Sequence, residues 1–156
     1  MRGHDRKRTV WQQALILLLA LGGAGYSLFT SEAGPLDSEN LRTEVAEVRA
    51  LGAEAAMMSQ AMLTGRTTPD YEQAQVLLNR DNAKQAWDTL NSVQVERGLE
   101  GELVQSRELA QQVTRAFELL STARGNPQLL ARIKSEMEQL VVQALAVEES
   151  LKQKPS

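Results

Sequence analysis

Residues 126–152 read NPQLLARIKSEMEQLVVQALAVEESLK. Within them Leu130, Ile133, Met137, Leu140, Ala144, Val147 and Leu151 recur at alternating intervals of three and four. That spacing lays one stripe along an α-helix. A strand cannot hold it, because strand side chains change face at every residue. Asn126 is a favoured N-cap, and Pro127 suits the first helical position, where its missing N–H is no loss. Lys152 and Lys154 complement the negative helix end, and Pro155 stops any extension.

The same rhythm appears upstream. From about Leu99 to Arg124 the positions Leu99, Leu103, Ser106, Ala110, Val113, Phe117 and Leu120 form a seam flanked by Leu109, Ala116 and Leu119, with Gly125 as the stop. From Asp37 or Ser38 to Gly65 the seam is Leu41, Val45, Val48, Gly52, Ala55, Ser59 and Met62. Its middle is small, so Gly52, Ala55 and Ser59 offer a close-packing or interaction face. The remaining segment begins at Thr67-Thr68-Pro69-Asp70, a capping Thr followed by Pro and an acid. It is expected to run to about Arg97 and to close at Gly98. Tyr71, Ala74, Leu77 and Leu78 make one apolar patch there; Ala86, Leu90 and Val93, beside Trp87, make another. Asn79-Arg80-Asp81-Asn82 lies between them. The segment is therefore one helix with Asn82 in its seam, or two short helices joined by a turn.

Four helical segments of similar length, joined by short loops, predict an all-α fold: an up-down antiparallel four-helix bundle over residues 37–154. No stretch alternates with period two, so no sheet is expected. The last two segments carry most of the large seam residues and are adjacent in sequence. They are the expected folding nucleus, with the first segment and Asn79–Asn82 as softer parts.

The N-terminus has a different character. Arg2, Arg6, Lys7 and Arg8 precede Val10–Phe29, twenty residues without a charge, and residues 30–36 form a Gly/Pro-containing linker. About 20 apolar residues suffice to cross roughly 30 Å of hydrocarbon. Leu15, Leu18 and Leu21 lie in the apolar centre, and Trp11 and Tyr26 stand near its ends, where amphipathic rings favour the interface. Residues 10–29 are thus expected to form a transmembrane anchor behind a basic cytoplasmic leader, residues 1–9. The lysine and arginine bias then places the C-terminal domain outside the cytoplasm, in the periplasm beyond a bacterial inner membrane. A cleavable signal peptide has the same layout, and Gly23-Ala24-Gly25 and Ser31-Glu32-Ala33 resemble cleavage sites. Both readings export the helical domain.

Charge and chemistry narrow the function. Residues 30–156 hold thirteen basic and nineteen acidic groups, a balance that argues against nucleic acid as a partner. Cysteine is absent and the one histidine, His4, lies in the leader. The helical domain therefore lacks the side chains for Ser-His or Cys-His nucleophilic systems, for thiol or imidazole metal sites, and for histidine-ligated haem or di-iron centres. No cofactor and no enzymatic activity are expected. Glu44 and Glu47, three apart, echo a carboxylate metal pair but have no convergent third ligand, so a solvated face is the simpler reading. Tyr71, Arg80 and Trp87 are candidate ligand contacts; Arg66 and Arg97, near helix ends, are candidates for holding a carboxylate.

In arrangement the chain resembles the extracytoplasmic four-helix domains of bacterial chemoreceptors and sensor kinases, where the first domain helix continues from a membrane span. The resemblance covers Val10 to Lys154 and implies ligand sensing. It departs from that family after Lys154, where neither a second span nor cytoplasmic signalling helices follow. The leading expectation is a non-enzymatic protein-interaction or scaffold module, anchored to the membrane and contacting another envelope protein or a second copy of itself. If the leader is cleaved, a soluble exported binder or chaperone is expected instead.

Overall fold

The computed structural model describes residues 34–154, and four helices account for most of them: α1 (Ser38–Thr64), α2 (Pro69–Ser92), α3 (Glu100–Leu120) and α4 (Pro127–Lys152). Their starts follow local chemistry. Asp37 caps α1 by accepting from the Asn40 amide at 2.8 Å, Thr68 accepts from Tyr71, and Asn126 accepts from Leu129 at 3.0 Å. Gly65 ends α1 with a left-handed backbone (φ 60°) that a residue bearing Cβ adopts only with strain.

The helices form an all-α bundle in which sequence neighbours run antiparallel. Asn79 of α2 meets Glu54 of α1, Thr114 of α3 meets Ala83 of α2, and Ser150 of α4 meets Glu102 of α3. The first and last helices close the ring through Arg49 and Glu148. The seams of α1, α3 and α4 face inward as their spacing requires. Phe117, Leu41, Val45, Val113, Ile133, Leu140 and Leu151 are among the fully buried side chains.

Three expectations are revised by the structure. α2 is continuous through Asn79–Asn82, and its seam is Glu72, Val76, Asn79, Ala83, Ala86 and Leu90. The expected patch of Tyr71, Ala74, Leu77 and Leu78 faces solvent. Second, α2 stops at Ser92, not Arg97. Val93 is extended, and the next residues pair with the chain entering α1: the Leu36 amide donates to Gln94 O at 2.8 Å, and the Glu96 amide donates to Leu36 O at 2.9 Å. The β-branched residues of Val93-Gln94-Val95 favour that extended backbone. Third, α3 ends at Leu120; Ser121–Gly125 is a run of turns that buries Ala123. The most extensive helix pairing joins α1 to α4. The small middle of α1 produces this, since it lets α4 come close. A Cβ added to Gly52 would stand 2.7 Å from Leu140 Cδ2.

The expected anchor, with Trp11, Leu15, Leu18, Leu21 and Tyr26, lies outside the described residues. Among the described residues no helix is long and apolar enough to cross a membrane.

Candidate functional site

The described interior is apolar and holds few polar side chains. Ser59 donates to Ala55 O at 2.8 Å, and Ser106 to Glu102 O at 2.6 Å, both within their own helices. Asn79 donates to Glu54 Oε2 at 2.7 Å, and Glu72 accepts from Thr67 Oγ1 at 2.6 Å. Among the described residues no buried side-chain nitrogen or oxygen lacks a hydrogen bond.

Gly52, Ala55 and Ser59 are buried inside the bundle. Gly52 lies against Leu140, Val113 and Val141, so its close contacts are between helices of one chain. Tyr71, Arg80 and Trp87 are not brought together. Arg80 and Trp87, seven apart, share one side of α2; Tyr71 precedes Arg80 by nine residues and falls half a turn away. Arg80 lies beside Asp81 (3.3 Å), and Trp87 packs against the core. Arg66 and Arg97 are exposed in loops at opposite ends of α2. Glu44 and Glu47 remain a pair, and no group of three potential metal ligands exists among the described residues. Burial holds the Glu44 carboxyl above its usual range, and the nearby Glu47 charge adds to this.

One end of the bundle is tied by polar contacts that the helical pattern does not signal. Lys154 Nζ donates to Glu102 Oε1 and to Gly98 O, both at 2.6 Å, and Ser150 Oγ donates to Glu102 at 3.0 Å. The Lys154 hydrogen bond, aided by Glu102's own backbone amide and by Ser150 and opposed by burial, holds the Glu102 carboxyl below its usual range. Leu36 is clamped to the α2–α3 loop at the same end. The described chain therefore enters at a fixed point beside the C-terminus of α4.

The outside is where the molecule departs from an ordinary polar bundle. Met57 is 71% exposed, Val142 66%, Tyr71 52%, Leu78 50% and Leu145 42%. Helix geometry groups them. Met57 projects outward from the middle of α1, opposite its seam. On α2, the side carrying Asn79 faces α1; Tyr71 and Leu78 lie on that side, rotated toward solvent. On α4, the side carrying Glu148 faces α1, and Leu145 lies on it. Met57, Tyr71, Leu78 and Leu145 thus flank the outer side of α1, while Val142, a third of a turn from Glu148, and Leu77, Val104 and Leu119 are exposed elsewhere. Seam spacing did not reveal them, because these positions read as gaps between core residues. The signal was the excess of apolar residues over what each seam uses.

No protein-family model, curated protein or solved structure matches the chain.

Proposed function

We propose that the chain is a membrane-anchored, non-enzymatic interaction module, an up-down four-helix bundle carried on the extracytoplasmic side of a bacterial inner membrane by residues 10–29. The observation that carries this reading is the contrast between interior and exterior. Buried polar side chains of the described residues are hydrogen-bonded within the chain, while large apolar side chains such as Met57, Leu78 and Leu145 stand exposed around α1. Contiguous exposed apolar surface is costly in water and marks contact with another macromolecule. The acidic helical domain makes nucleic acid a poor occupant of that face. The uncharged run from Val10 to Phe29 behind four basic residues supplies the anchor and its orientation.

Two C-terminal fusions in a bacterial host test the placement. An alkaline phosphatase fusion is expected to be active and a fluorescent-protein fusion dark, because each reporter matures on one side of the membrane. The opposite pattern, a bright and phosphatase-inactive tail, overturns it. Membrane retention after high-salt and carbonate washing, with an intact N-terminus by mass spectrometry, separates an anchor from a cleaved leader.

A further inference from the structure

The outer side of α1 has a second regularity. The outward positions Thr43, Ala46, Ala50, Ala53, Met57, Gln60 and Thr64 recur at intervals of three and four without a charge, and one step further toward the N-terminus the stripe ends in Glu39, a single like-charge contact in a parallel pair against the four Arg–Glu pairs below. This is a second heptad seam, on the side of α1 opposite the core. Two charged positions flank it on each side. Arg42 and Arg49 lie on the edge next to α4; Glu47 and Glu54 lie on the edge next to α2. Glu54 meets Asn79 of α2, and Arg49 meets Glu148 of α4, which fixes these edges.

We propose that the partner of this face is a second copy of the chain, packed parallel through α1 with the two copies in register. Charge decides the orientation. In a parallel pair the edge residue before one seam position lies beside the opposite-edge residue five places later in the partner. Arg42 then meets the second copy's Glu47, and Arg49 meets its Glu54, twice each by symmetry. In an antiparallel pair each edge faces its own kind, arginine against arginine and glutamate against glutamate. Arg49 gives its Nε to Glu148 at 2.6 Å, which leaves its two terminal NH₂ groups free to bridge. Arg42 makes no ion pair among the described residues.

The apolar side chains fit the same arrangement. Ala46, Ala50 and Ala53 let the two α1 backbones approach closely, and Met57 meets its own copy across the two-fold axis. The α2 flank completes the contact. Leu78 of α2 stands near the height of Ala55, judged from the Glu54–Asn79 contact, and extends the seam on the α2 side. The orientation stands on charge alone. The local concentration that favours pairing rests on the anchoring proposed above, which holds both copies upright in one plane.

The absence of native cysteine makes the test direct. Ala46→Cys, Met57→Cys and, as a control on the outer face of α3, Val104→Cys are made singly in the full chain. Each is purified in mild detergent and oxidised with copper phenanthroline. A parallel in-register pair brings both Ala46→Cys and Met57→Cys thiols onto the axis, within disulfide reach. Both are expected to give a covalent dimer as the major species, and Val104→Cys is not. Arg42→Glu is expected to lower the Ala46→Cys yield, and Arg42→Glu with Glu47→Arg to restore it. Cross-linking at only one of the two seam positions means antiparallel pairing and overturns the proposal. So does failure at both, or an equal yield at Val104→Cys. No cross-links together with an extracytoplasmic tail removes the dimer and leaves the anchored module. Cross-links together with a cytosolic tail does the reverse.

Discussion

Gly52 sets how closely α1 and α4 approach, because the space a side chain would fill is taken by Leu140. Gly52→Val is expected to destabilise the bundle by about 1–3 kcal/mol, the usual cost of forcing methyl groups into a filled core. Urea unfolding would show a lower midpoint at unchanged slope. Two carboxylates respond to acid in opposite directions. Glu102 titrates below the ordinary value of 4.5, so its contribution is complete above that value and is lost as the pH falls through the lowered one. Glu102→Gln is expected to lower the neutral-pH Tm and to flatten the acid limb of a Tm-against-pH curve. Glu44 titrates above 4.5 because folding buries it, so its ionisation opposes folding. Glu44→Gln is expected to raise Tm near neutrality. That gain shrinks as the pH falls through the raised value and vanishes below the ordinary one. A Tm increase that persists in acid would show that another effect dominates.

α2 is the element whose local pattern and tertiary role disagree. Its N-terminal half turns Glu72 and Asn79 inward while Tyr71 and Leu78 face outward. The C-terminal half decides this. Ala83, Ala86 and Leu90 must face the core, and a continuous helix carries their phase back to Asn79, Val76 and Glu72. Asn79 is satisfied by Glu54, which is itself exposed and can return to water. Asn79→Leu is therefore expected to stabilise the fold by about 1–2 kcal/mol through added apolar burial. An unchanged or lower Tm would mean that the Asn79–Glu54 bond contributes more than a leucine would. The short main-chain clamp at Leu36 is tested by Leu36→Pro. This removes the amide that donates to Gln94 O and is expected to cost about 1 kcal/mol. Hydrogen exchange at the Glu96 amide should accelerate well beyond the rest of the molecule.

At the scale of the whole molecule, the pairing of α1 with α4 joins segments far apart in sequence, so the largest interface carries the greatest loop-closure cost. Folding is then expected to wait on that closure: Val45→Ala in α1 should slow refolding more than Val113→Ala in α3. The exposed face gives a complementary test, because its residues contribute to association and little to the single bundle. Met57→Lys is expected to change the Tm of dilute protein by no more than about 0.5 kcal/mol equivalent. It is also expected to shift sedimentation of the full chain in detergent from dimer toward monomer. Equal sedimentation for both proteins would show that Met57 takes no part in self-association.

The sequence alone determined that the domain is helical, where α1 and α4 begin and end, and most of the buried residues of α1, α3 and α4. Each of those depends on a cap, a glycine or a three-four spacing read within one helix. Leu119, expected beside the α3 seam, is exposed, and Met62 of the α1 seam is half-buried. Tertiary structure decided which side of α2 is inside, because short apolar clusters on both sides of that helix compete and only its packed neighbours settle the phase. It decided that small residues in α1 bring a neighbour closer instead of loosening the helix, since closeness is a property of two surfaces. It also decided that Met57, Leu78 and Leu145, left over from three separate seams, stand around the outer side of α1. Rotation and register between helices fix that, and neither is written in any single segment.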